Sequence, residues 1–305
     1  MKKSLQNTFS WSVSRDRIFR ECPRQYYFNY YGHWGGWEVG APERTRRIYV
    51  LKQLKNRATW VGEVVHDCIA RTLNNLSRGI PILRLDDILT ITRDRMRQDF
   101  RSSRAKRYWD RPKTNCGLFE HEYDLDVSDS EWKASAEHAE QCLRTFYSSS
   151  HYEMFRQMDR SKYLEIEKFS SFLLDGIEIK IKLDCAHKEN GTIIIWDWKT
   201  GKTENEGDAL QMACYAFYAM QNYGADLSNI TTRLYNLYRD KVHSRSINKP
   251  SLEELLTYIR GSIEDMRALL ADPQLNEAEE DHFAKVELPR ICLKCNYLGA
   301  CKPSL

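Results

Sequence analysis

The stretch DGIEIKIKLDCAHKENGTIIIWDWK, residues 175–199, sets Asn190-Gly191 between two runs whose apolar residues recur at alternate positions. Ile177, Ile179, Ile181 and Leu183 share one face of the first run, and Glu178, Lys180, Lys182 and Asp184 share the other. That period is the signature of strands with one buried face, and Asn-Gly suits the two positive φ angles of a type I′ turn. A two-residue loop there sets Asp184 opposite Asp197, with Lys199 two residues further along the same face. Asp175-Gly176 repeats the turn signal after the strand-like run Tyr163 to Leu174, and a two-residue loop at that point sets Glu167 opposite Asp184.

Carboxylates paired across neighbouring strands have Cβ atoms about 4.5–5.5 Å apart, and like charges so placed repel. A divalent cation with oxygen ligands relieves the repulsion. Register alone leaves a second reading open, a solvated polar face balanced by Lys180 and Lys182, because a slip of one residue turns every side chain over.

A chain of 305 residues, 42% hydrophobic and 29% charged, suits one large globular domain or two small ones. The formal net charge of +3 does not by itself imply nucleic acid, so any basic footprint has to be local. The start, MKKSLQNTFSW, lacks the apolar core of a signal peptide, and no run reaches the length of a membrane helix. This reads as a cytoplasmic protein with no membrane partner. The nine cysteines then do not read as a disulfide framework. Cys68, Cys116, Cys142, Cys185 and Cys214 stand singly and read as small buried residues, whereas Cys292, Cys295 and Cys301 crowd together as C-x2-C-x5-C.

Taken in order, residues 12–31 predict a helix capped by Ser12 or Ser14, with an apolar stripe through Ile18, Phe19, Tyr26 and Tyr27 and a kink at Cys22-Pro23. Thr59 to Leu76 predicts a helix with Gly62 and His66 on one face. Further helices are expected across a helical insertion at 75–160, one of them through Ala134, His138, Cys142 and Phe146. The basic run from Arg93 to Lys113 carries Arg101, Arg104, Lys106, Arg107, Tyr108 and Trp109. It reads either as a solvated helix face or as a nucleic-acid contact combining phosphate binding with base stacking. After the hairpin come a helix from Asp208 to Tyr223 presenting Gln211 and Tyr215, strands at Ile230–Tyr238 and Val242–Ile247, and a helix at 251–271 with a capping box from Ser251 to Glu254. KTGKT around Gly201-Lys202-Thr203 is no phosphate loop, because the pattern needs glycine where Trp196 stands.

GEVVH at 62–66, Glu167, Leu183-Asp184, DWKTG at 197–201 and Q-x3-Y at 211–215 together resemble the PD-(D/E)xK nuclease superfamily in its RecB-like branch. The resemblance implies an α/β fold with a mixed central sheet flanked by helices, a restriction-endonuclease-like core. It implies that Asp184 and Asp197 coordinate Mg2+ or Mn2+, that His66 completes the metal shell, and that Lys199 orients or activates the attacking water. Gln211 and Tyr215 would hold the active-site lysine or the DNA, and Glu167 would stand beside Asp184 or one shell out. The family commonly carries glycine three residues before the motif aspartate, where this chain has Ile181.

The cysteines extend the resemblance. AddB-type helicase-nuclease subunits and CRISPR-associated RecB-like exonucleases hold a [4Fe-4S] cluster with one cysteine ahead of the core and three after it. Cys22, Cys292, Cys295 and Cys301 match that layout, with zinc the alternative on ligand chemistry. Residues 288–305 with Cys22 would then form a clasp joining the termini of a single nuclease domain. The expected function is metal-dependent cleavage of DNA, exonucleolytic on single strands or duplex ends, with a helicase or CRISPR or antiviral defence protein as the implied partner. The alternatives are a non-catalytic DNA-binding adaptor subunit with the same fold and a structure-specific endonuclease.

Overall fold

The computed structural model describes residues 6–202 and 208–302. Thr203 of the rejected phosphate loop and residues 303–305 of the expected clasp lie outside the described residues. The chain begins with α1 (Val13–Glu21), capped by the Ser12 side chain accepting from the Arg15 amide, and α2 (Pro23–Tyr27). Pro23 has no N–H to continue α1 and excludes the helical conformation at the residue before it. Cys22 is accordingly extended, at φ −161° and ψ 112°, so the expected kink is a complete break that presents a cysteine at the corner.

Six helices follow before the sheet: α3 (Glu43–Leu51), α4 (Arg57–Arg78), α5 (Leu85–Arg104), α6 (Phe119–Glu122), α7 (Asp129–Ser148) and α8 (Ser150–Gln157). The sheet has five strands in sequence order: β1 (Tyr163–Leu174), β2 (Ile177–Glu189), β3 (Thr192–Lys199), β4 (Ile230–Asn236) and β5 (Lys241–Arg245). All neighbours are antiparallel except β3 and β4. A parallel pair needs a long crossover, and α9 (Asp208–Tyr223) supplies it. The chain closes with α10 (Lys249–Arg267), α11 (Pro289–Cys292) and α12 (Leu298–Cys301). The expected capping box at Ser251 gives way to an earlier start: the Asn248 side chain accepts from the Ser251 amide at 2.9 Å, and Pro250 sits in the first turn, where its missing N–H costs nothing.

Both hairpins have the expected register. Asp175-Gly176 and Asn190-Gly191 all take positive φ, and the ladders close at Leu174 with Ile177 and at Glu189 with Thr192. On β3 the pleat sends Ile193 and Ile195 into a core with α9 and α10, and Ile194, Trp196 and Trp198 into a second core with α4, α7 and α8. On β2, Ile179, Ile181 and Leu183 join the first core, but Cys185 joins the second. The inside-outside alternation slips by one residue at Asp184. Across from it, Glu167 has a left-handed φ of 49° between the paired residues Ile166 and Lys168, a conformation that costs a side-chain-bearing residue roughly 1–2 kcal/mol. The β2–β3 ladder runs only as far as Cys185 with Trp196. Beyond it the strands are joined by a side chain, because Asp184 Oδ2 accepts from the Trp198 amide at 2.6 Å.

Candidate active site

This notch between β2 and β3 gathers the chemically distinctive residues. His66 comes from the middle of α4, one turn past Gly62, where a Cβ would sit 3.4 Å from Thr200 Oγ1. Its Nδ1 lies 3.1 Å from Asp184 Oδ1. Ligand atoms of His66, Glu167 and Asp184 all lie within 4.8 Å of one another. Three residues from α4, β1 and β2 therefore offer one nitrogen and carboxylate oxygens to a common point, a donor set suited to a divalent cation.

Asp197 stands on β3 next to this group but outside it. Oδ2 is 2.7 Å from Lys199 Nζ, and Oδ1 accepts from Gln211 Nε2 at 2.9 Å and faces the Tyr215 hydroxyl at 3.1 Å. The Gln211 amide bridges the arrangement, since its Oε1 also accepts from Lys199 Nζ at 3.1 Å. The Tyr215 hydroxyl is in turn 2.8 Å from the Lys182 carbonyl. Gln211 and Tyr215, one turn apart on the face of α9 that packs on the sheet, thus fix Asp197 and Lys199 relative to each other.

Three carboxylates share the notch with three basic groups, Glu167 paired with Lys182, Asp184 with His66 and Asp197 with Lys199. Burial alone would lower the His66 pKa, but Asp184 beside it, with Glu167 and Asp197, raises it to about 9. Burial would raise Asp184, yet His66, the Trp198 amide and Lys199 hold it below the usual carboxylate range. Asp197 is pushed up by burial and by Asp184, against the pull of Lys199. Glu167 is likewise raised by burial and by Asp184, against an ion pair with Lys182. Protonated groups compensate for the crowding of acids here, and a cation could take that role.

The four cysteines expected to act together do line one cavity, with Phe28 and Tyr297 in its wall. Burial raises the Cys295 thiol to about 12, with Cys22, Cys301 and Cys292 adding to the shift. Among the described residues no three of these Sγ atoms lie within 4.8 Å of one another. A tetrahedral zinc site with bonds of about 2.3 Å needs sulfur–sulfur edges of about 3.8 Å. The C-terminal segment is also stitched to the N-terminal helices directly: the Arg24 amide and Nε donate to the carbonyls of Ala284 and Phe283, and Asn296 Nδ2 donates to the Leu54 carbonyl. Of the other cysteines, Cys116, Cys142, Cys185 and Cys214 are buried, and Cys68 is half-buried.

The basic run does not have the form expected of a stacking surface. Tyr108 is 1% exposed, packed with Phe28, Tyr49 and Tyr297, and its hydroxyl donates to Glu122 Oε2. Trp109 Nε1 donates to the same carboxylate oxygen at 3.0 Å. Arg101, Arg104 and Arg107 are exposed, but Lys106 faces Asp124, Arg93 forks onto Glu140, and Arg95 meets Glu63, Asp67 and Asp99. Acidic partners neutralise much of the run, and Tyr108 belongs to the interior while Trp109 is half-buried against the same cluster. Sequence reasoning missed Phe169, which is 80% exposed on β1, and Tyr238, which is 39% exposed after β4.

A helix-flanked mixed sheet, with carboxylates from β1, β2 and β3 and a lysine gathered where β2 and β3 part, has the restriction-endonuclease-like α/β architecture. The family description "PD-(D/E)XK nuclease superfamily" matches residues 10–302, and the chain belongs to that superfamily. Among solved structures, the crystal structure of SSO0001 is similar to this chain with a TM-score of 0.29 and 15% identity, over 61% of this chain and 93% of that one. No curated protein matches the chain. No helix among the described residues is long and apolar enough to cross a membrane.

Proposed function

We propose that this protein is a divalent-metal-dependent deoxyribonuclease that degrades DNA from single-stranded or duplex ends. The observation that carries the reading is the convergence of His66, Glu167 and Asp184 within 4.8 Å, next to a lysine held by Asp197 and Gln211. His66, Glu167 and Asp184 would hold Mg2+ or Mn2+, with Asp197 beside them, and the imidazole tilts the preference toward Mn2+. A cation there lowers the pKa of water and neutralises charge building on the phosphate.

The chain's own residues supply the geometry. Lys199 Nζ is held by an ion pair with Asp197 Oδ2 and a hydrogen bond to Gln211 Oε1, which fixes the ammonium at the notch, where it would orient the attacking water. The water would attack phosphorus and give up its proton to solvent, as the P–O bond to one deoxyribose breaks and the departing oxygen takes a proton from solvent. Tyr215 and Gln211 keep Asp197 from swinging away, and the Trp198 amide does the same for Asp184. The cavity of Cys22, Cys292, Cys295 and Cys301 offers four thiols, a donor set that suits a [4Fe-4S] cluster, with zinc the alternative. It would act as a clasp joining the two ends of the chain.

The test is a Mn2+-dependent assay on labelled DNA, prepared without oxygen. Release of mononucleotides or short fragments from linear single strands, with circular single strands left intact, supports the reading. Binding without degradation points to an adaptor subunit, and cleavage of the circles points to an endonuclease.

A further inference from the structure

Two exposed aromatic rings flank the notch, each with a lysine beside it. Phe169 lies opposite Lys182 in the β1–β2 ladder, and Lys182 Nζ is 5.3 Å from the centre of its ring. The same ammonium pairs with Glu167. Phe169 is 80% exposed on the edge strand β1, so its ring is open to a ligand.

On the other side, Lys202 Nζ is 5.5 Å from the centre of the Tyr238 ring. Tyr238 packs its ring 4.7 Å from that of His138, and His138 Nε2 lies 2.7 Å from the carbonyl of Thr200, the residue after Lys199. Asn236 Nδ2 and Arg239 Nε hold the Gly201 and Lys202 carbonyls at 3.0 and 2.9 Å. Tyr238 and Lys202 are therefore tied by hydrogen bonds to the backbone that carries Lys199. His138, Thr200, Gly201 and Lys202 also border an open groove of about 690 Å³.

We propose that these two ring-and-lysine pairs are nucleotide subsites on either side of the reacting phosphate, so that a single DNA strand crosses the notch with one base on Phe169 and another on Tyr238. Aromatic faces next to ammonium groups match unpaired bases and the phosphates between them, a combination that binds single strands with little sequence preference. A duplex keeps its bases stacked on each other and cannot use both rings. The proposal rests on the nuclease reading and adds the form of the substrate at the site.

The experiment measures binding of a fluorescent single strand by anisotropy and hydrolysis of bis(p-nitrophenyl) phosphate, a small diester that needs only the reacting site. Phe169→Ala and Tyr238→Ala should each weaken single-strand binding about tenfold, and the pair together more than either alone. Tyr238→Phe, which keeps the ring, should bind like the parent, and in the alanine variants single-strand binding should fall by a larger factor than hydrolysis of the small diester. Unchanged single-strand affinity in both alanine variants overturns the proposal, as does an equal loss for duplex DNA or a response confined to single-stranded RNA. Absence of metal-dependent hydrolysis of any diester by the parent protein would instead overturn the nuclease reading, and the anisotropy series would still test the subsites.

Discussion

His66 Nδ1 and Asp184 Oδ1 are 3.1 Å apart although 118 residues separate them, and this contact joins the helical half of the molecule to the sheet. The imidazole acts as a resident cation in the notch, its pKa raised to about 9 by the acids around it despite burial. A histidine whose folded pKa lies above its ordinary value of 6.5 contributes stability that is fully present below about 6.5 and is lost as pH rises through about 9. The stability difference between metal-free parent and His66→Gln should therefore shrink steadily across that window, as read by urea midpoints. A difference that does not change with pH would contradict the assignment. Mn2+ must displace the same proton, so its affinity should climb over the same range.

Lys199→Ala should abolish cleavage, by about 100-fold or more, while single-strand binding by anisotropy stays within a few-fold of the parent. Lys199 is 28% exposed at its side chain and contacts Asp197 and Gln211, so its loss leaves the fold's cores untouched. Retained cleavage would remove the lysine from the mechanism.

Glu167 is held in a left-handed conformation beside another carboxylate, and both features cost stability that the Lys182 ion pair offsets in part and a bound cation would offset further. Glu167→Gly relieves both. The metal-free variant should be at least as stable as the parent in thermal melts, whereas the stabilisation added by Mn2+ should fall sharply. A large loss of metal-free stability would show that the Lys182 ion pair outweighs the strain.

Cys22→Ala should bleach the broad absorbance near 400 nm expected of an iron–sulfur protein and lower thermal stability. On a chain-entropy argument borrowed from disulfides, closing so long a loop stabilises by about 5–6 kcal/mol. The measured loss should be smaller, since Arg24 and Asn296 hold the two ends together independently. One zinc per chain with no iron in the parent protein would identify the cavity as a zinc site.

The hairpins were legible in the sequence because Asp175-Gly176 and Asn190-Gly191 set both the turn and the register, and that register brings Glu167 and Asp184 together with Asp197 alongside but outside the ladder. The strand break at Asp184 and the left-handed Glu167 were not legible, since a slip in the pleat leaves the alternation of residues in sequence unchanged. Tyr108 and Trp109 misled for a related reason: aromatics among arginines look the same whether they stack on bases or fill a core, and only Glu122 and the Tyr297 contact decide it. Phe169 and Tyr238 escaped notice because each reads as an ordinary strand residue until its exposure is known. His66 was found only through its place in the motif series, as a single histidine on a helix gives no metal signal.

The central claim is that a cation binds where β2 and β3 part. A crystal soaked in MnCl2 and measured at the manganese absorption edge tests it most directly. The account predicts one strong anomalous peak within bonding distance of His66 and Asp184. A featureless notch at saturating manganese, or a peak bound elsewhere on the molecule, would contradict it.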